Sequence, residues 1–208
     1  MTPSCSRRAD ATSSRTAVRK AWTAFSDGFR EYPFHVGVIY YGPQQWGPAN
    51  PLYARKTGYG ATMVGLPYDG IRGWRQDYPP DVWSAQMQKV ADGFAEGSRI
   101  FADEVVPAAD AAKRAYAARE GAMFRAQTLH FAACADQMRF IVARDAGDRD
   151  GMRAAARREL ARAKEMLELT RQDSRFGYES SNHYYYIPQD LREKILCCRD
   201  VLAGLQSE

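Results

Sequence analysis

The apolar positions change their spacing twice along this chain. Val18, Trp22, Phe25 and Phe29 recur at i, i+4, i+7 and i+11, which marks one face of a helix. That helix is predicted to open at the hydroxyls of Ser13 or Ser14 and to close near Tyr32–Pro33. The periodicity then fades and returns after Pro79 and Pro80, which suit a first helical turn. Val82, Met87, Val90, Phe94 and Phe101 mark the second helix, with Gly93 and Gly97 as weak points. Pro107 is expected to open a third, long helix through Tyr116, Met123, Leu129, Phe131, Ala132, Met138, Phe140 and Ile141, ending in the polar run DAGDRDG. A fourth spans about 149–172 and is rich in strong helix formers. On it Arg158, Arg162 and Lys164 are expected to face water. A fifth starts at Pro188, with Leu191, Ile195, Leu196, Val201, Leu202 and Leu205 as its apolar set.

Between Pro33 and about Pro80 the texture is different. VGVIYY reads as a short strand or an extended buried segment, GPQQWGPANP is turn chemistry, and ATMVGLPY is another short apolar run. A loop-rich stretch of this length lies against something or carries function. The fold class is therefore mainly α: an antiparallel bundle of about four to five helices, with the segment at about 33–80 packed on it. Residues 1–12 are expected to be a disordered basic tail, and 13–208 one helical domain.

Charge narrows the partners. The formal net charge of +4 is concentrated at the start, where Arg7, Arg8, Arg15, Arg19 and Lys20 face Asp10 alone. The rest is balanced, which is a poor footprint for a phosphate backbone, so no nucleic acid is expected. No apolar run approaches the roughly 20 residues of a membrane helix, and the N-terminus lacks the apolar core of a Sec signal. Cys5, Cys134, Cys197 and Cys198 form no metal-binding spacing. They read as free thiols packed as small apolar groups, so a reducing, cytoplasmic setting is expected, with no cofactor and no metal.

Candidate chemistry gathers in residues 173–188, DSRFGYESSNHYYYIP. Arg175, Tyr178, Glu179, Asn182, His183 and Tyr184 offer many donors and acceptors. Trp46, Tyr53 and Tyr59 could add aromatic platforms, because ring carbon meets the C–H face of a sugar while polar tips bond its hydroxyls. The same residues would equally serve as a polar network that locks the loop without any ligand. Asp69, Asp77, Asp173 and Glu179 are candidate acids, though turn and arginine pairing explains them as well. TGYGATMVG lacks the spacing of a nucleotide loop. His130 falls inside a helix as a packing residue, and His35 in the loop-rich part is open.

Three blocks, FSDGFREYPFHVGVIYYGPQQWGPANPLY, TGYGATMVGLPYDGIRGWRQDYPPDVW and DSRFGYESSNHYYYIPQDLREKILCCRDVL, together resemble the C-terminal portion of large, poorly characterised bacterial glycoside-hydrolase-like proteins. The resemblance implies a region that normally follows a catalytic barrel, and no barrel is present in this sequence. It implies a non-catalytic accessory module that contacts glycan or a partner catalytic domain. Two alternatives stand beside it: a structural or protein-interaction bundle with no ligand, and a hydrolase using Glu179 with His183 or Asp173.

Overall fold

A computed structural model describes residues 4–63, 65–173, 175–176 and 186–206, with side chains from residue 15 onward. In chain order the helices are α1 (Ser4–Phe29), α2 (Val36–Tyr41), α3 (Ile71–Arg75), α4 (Pro80–Ile100), α5 (Val106–Ala108), α6 (Ala111–Ala146), α7 (Arg149–Gln172) and α8 (Pro188–Gly204). No strand occurs among the described residues. The long helices pack in sequence, α1 on α4, α4 on α6, α6 on α7 and α7 on α8. The fold is thus the all-α bundle expected from the periodicity.

Helix α1 begins at Ser4, ahead of the Ser13–Ser14 pair, so 4–12 carries helical backbone where a disordered tail was expected. After Pro3 no glycine or proline interrupts the chain until Gly28. Its buried face is Ala17, Ala21 and Phe25, whereas Trp22 and Phe29 stay about half exposed. Small residues are used because α1 crosses α4 backbone to backbone. A Cβ on Gly28 would lie 2.8 Å from the Gly93 Cα, and one on Gly97 would lie 2.3 Å from the Phe25 ring. Gly93 and Gly97 are therefore the crossing point of two helices and not weak points.

On α4, Trp83, Met87 and Val90 are buried while Val82 faces out. The helix continues through a π turn at Phe101–Val105. The long helix opens at Ala111 and not at Pro107, because the Asp110 side chain accepts from the Lys113 N–H and caps it there. Gly147, with φ 73°, ends α6, and the Asp148 carboxylate accepts from the Gly151 N–H to start α7. Helices α7 and α8 match their predicted starts. Leu196, counted with the apolar set of α8, is exposed.

VGVIYY is helical and not extended. His35 caps it, its Nδ1 accepting from the Gly37 N–H at 3.0 Å; its β-branched residues have no strand to pair with among the described residues. Two 3₁₀ turns follow, at Pro43–Gln45 and Gly47–Ala49. From there to Gly70 the chain is an irregular strap. It lies on α6 and α8, with Ala49 and Leu52 buried among residues of the bundle.

Candidate functional site

Among the described residues, three buried charges sit on the apolar stripes of the bundle. Lys194 falls between Leu191 and Ile195, Glu159 between Ala156 and Ala163, and Asp136 between Ala133 and Phe140. All three have no exposed surface. Isolated charges there would cost several kcal/mol each, so each needs partners. The fold brings them into one chain of hydrogen bonds. Lys194 Nζ donates to Glu159 Oε2 at 2.8 Å and to the Asn50 carbonyl. Asn50 Nδ2 donates to Gln137 Oε1 at 2.6 Å, and Gln137 Nε2 donates to the Gly47 carbonyl at 2.7 Å. Arg162 Nη1 donates to Glu159 Oε1 at 3.1 Å and also to Asp136.

Asp136 accepts from Arg158 as well, in a fork at 2.7 and 2.8 Å, and from Arg139 at 3.1 Å. Burial works against its charge, but Arg158 and Arg162 hold its carboxyl below the usual carboxylate range. Arg158 and Arg162 thus turn toward a buried carboxylate and are not merely a solvated flank. Glu165 pairs with Arg125 at 2.5 Å. Arg139 also donates to Gln88, which in turn donates to Asp92, each at 2.9 Å. One hydrogen-bonded path therefore runs from the α4 surface through α6 and α7 to α8 and the strap.

Further anchors hold the strap. Arg144 Nη1 donates to Asp69 at 2.7 Å and to the Tyr53 carbonyl at 2.9 Å, and Cys197 Sγ donates to the Leu52 carbonyl at 2.9 Å. Gly47, at φ 48°, presses on the His130 ring and the Tyr186 hydroxyl, leaving no room for a Cβ. His130 Nδ1 and the Tyr186 hydroxyl are hydrogen-bonded. Burial lowers the His130 pKa to about 4, against a backbone hydrogen bond with Gln44, and raises that of Tyr186.

Of the sequence-predicted site residues, Trp46 is half-buried and its indole N–H donates to the Gly65 carbonyl at 3.0 Å, so it fastens the strap to itself. Tyr53 is partly buried, with its ring 6.3 Å from Tyr68. Tyr68 is in turn 5.2 Å from the exposed ring of Tyr59. Tyr68 holds φ 47°, a conformation costing a tyrosine on the order of 1 kcal/mol. Both its neighbours are pinned: the Pro67 carbonyl accepts from the Trp74 indole at 2.8 Å, and Asp69 binds Thr57 and Arg144. Arg175 is exposed and folded onto Asp173, whose carboxyl it lowers to about 2. Tyr178, Glu179, Asn182, His183 and Tyr184 lie outside the described residues. Tyr186, at the end of the 173–188 stretch, meets the loop-rich segment at Gly47.

Beside the charge network lies a groove of about 330 Å³ between α4, α6 and α7, lined by Arg125, Arg158 and Arg162 over alanines. Among the described residues no three His, Cys, Asp or Glu side chains form a metal-binding group, and no helix is long and apolar enough to cross a membrane. No family model, curated protein or solved structure matches this chain.

Proposed function

We propose that the protein is a non-catalytic helical accessory module of a carbohydrate-active system, with the strap as its glycan-facing surface. The observation that carries this reading is the ring series Tyr53–Tyr68–Tyr59, with Tyr68 kept at positive φ between two anchored neighbours. Strain maintained in this way fixes a ring in place without adding to the core. The buried ionisable groups support the non-catalytic half: Asp136, Glu159 and Lys194 are engaged with one another's partners. Asp173 is folded into an ion pair with Arg175, which keeps its carboxyl low.

Titration of the protein with xylo-, cello- and chito-oligosaccharides tests the reading. NMR shifts confined to 53–70, abolished by Tyr59→Ala, are expected. Unchanged spectra across the panel would remove the glycan reading.

A second reading, docking to a catalytic partner, rests on α1 and its exit. Trp22 and Phe29 are 54% and 52% exposed, and Phe34 and Val36 more so. Trp22 and Phe29 lie two turns apart on one face of α1, and exposed apolar residues that share a face mark contact surfaces. Co-purification with a barrel-type hydrolase that is lost on Trp22→Ser would favour it.

A further inference from the structure

The groove between α4, α6 and α7 uses residues that the strap does not. Its floor and walls include Ala91, Ala95, Ala132 and Ala161, small side chains from three helices at one level, so space remains where a bundle would ordinarily fill it. Arg158 and Arg162 stand one helical turn apart on α7, and Arg125 faces them from α6.

Their placement is fixed from behind. Asp136, fully buried, orients Arg158 and Arg162 through the fork and the Nη1 bond already described. These bonds leave donors over. Arg158 Nη1 and the Nε and Nη2 of Arg162 have no acceptor among the described residues, and the Arg158 side chain is 47% exposed. Charge points the same way. Among the described residues, Arg139, Arg158, Arg162 and Lys194 form ion pairs with two carboxylates, Asp136 and Glu159. Arg125 and Glu165 cancel, and Asp92 at the rim leaves the assembly cationic. Planar donors held in position beside an uncompensated positive charge match the geometry of a carboxylate or phosphate.

We propose that this groove is a binding site for a small oxyanion, the acid group of an organic carboxylate or a phosphate ester, received by Arg158 and Arg162 with Arg125 as the swinging third donor. The ligand's body would rest on the alanine floor. Arg125 would exchange its bond to Glu165, which is 41% exposed, for one to the ligand.

The test is calorimetric titration of the full chain with inorganic phosphate, glucuronate and glucose at matched ionic strength, with sodium chloride as control. Saturable one-site binding of phosphate or of glucuronate, with none of glucose or chloride, is expected. Phosphate alone would specify a phosphate ester, and glucuronate alone a carboxylate. Arg158→Gln should weaken binding at least about tenfold, as loss of a charge-assisted bond does. Ala161→Phe, which fills the groove at an exposed helix position and leaves the Asp136 network intact, should abolish it. Equal responses to all salts, or binding untouched by Ala161→Phe, would overturn the proposal. This outcome is separate from the strap's reading, whose ligand and variants are different.

Discussion

Lys194 shows how single residues shape this fold. A lysine without exposed surface is held by Glu159 and by the Asn50 carbonyl, and that carbonyl belongs to the strap. Lys194→Ala leaves Glu159 buried with Arg162 alone, and we expect a loss of about 3–5 kcal/mol, the usual result of breaking a buried pair. Urea unfolding measures it. Lys194→Met combined with Glu159→Gln should cost clearly less than Lys194→Ala, since no unpaired charge remains. His130 adds a pH dependence. Its pKa is lowered to about 4 by burial, below the 6.5 of an unfolded histidine. Between these values the unfolded chain binds the extra proton, so stability is full above about 6.5 and falls as pH drops toward 4. The loss is on the order of 2 kcal/mol, and His130→Asn should flatten that part of the stability–pH curve.

The buried charges were legible in the sequence, although reading the apolar residues alone passes over them. Lys194, Glu159 and Asp136 each interrupt an i, i+3, i+4, i+7 stripe, and a charge at such a position must find a counter-charge. Only their pairing across three helices needed coordinates.

Among the elements, the long helices were legible because their stripes are sustained, although α1 and α6 start at Ser4 and Ala111 and not at Ser13–Ser14 and Pro107. The errors arose where packing overrides local preference. VGVIYY has strand composition, yet His35 caps it into a helical turn. Trp22 and Phe29 have helical spacing and remain about half exposed, because Ala17, Ala21 and Gly28 take the contact of α1 with its neighbours; Val82 and Leu196 are exposed because Trp83, Met87 and Val90 on α4 and Leu191, Ile195 and Cys198 on α8 form the buried faces. This gives a test at the α1–α4 crossing. At an exposed helix position Gly→Ala stabilises by up to about 1 kcal/mol. Gly93→Ala should destabilise instead, by roughly 1–3 kcal/mol as overpacking does, because its Cβ would lie 2.4 Å from the Gly28 Cα. Gly97→Ala should cost less, since it meets a side-chain ring. Thermal unfolding of the two variants ranks them.

For the whole molecule, the sustained apolar periodicity and the glycine- and proline-rich composition of 33–80 pointed to a helical body carrying a loop-rich cover. The groove was not legible, since its alanines look like ordinary helix formers until three helices place them at one level. The strap is part of the folded body, fastened to α6 and α8 by Gln137, Arg144, Cys197 and Lys194. Hydrogen exchange over residues 43–53 measures this directly. The amides of Trp46, Ala49 and Asn50, hydrogen-bonded within the strap, are expected to be strongly protected in the native protein. In Lys194→Ala they should lose protection well before those of α4. Strap amides that exchange at the unprotected rate in the native protein, or that keep full protection in Lys194→Ala, would contradict it.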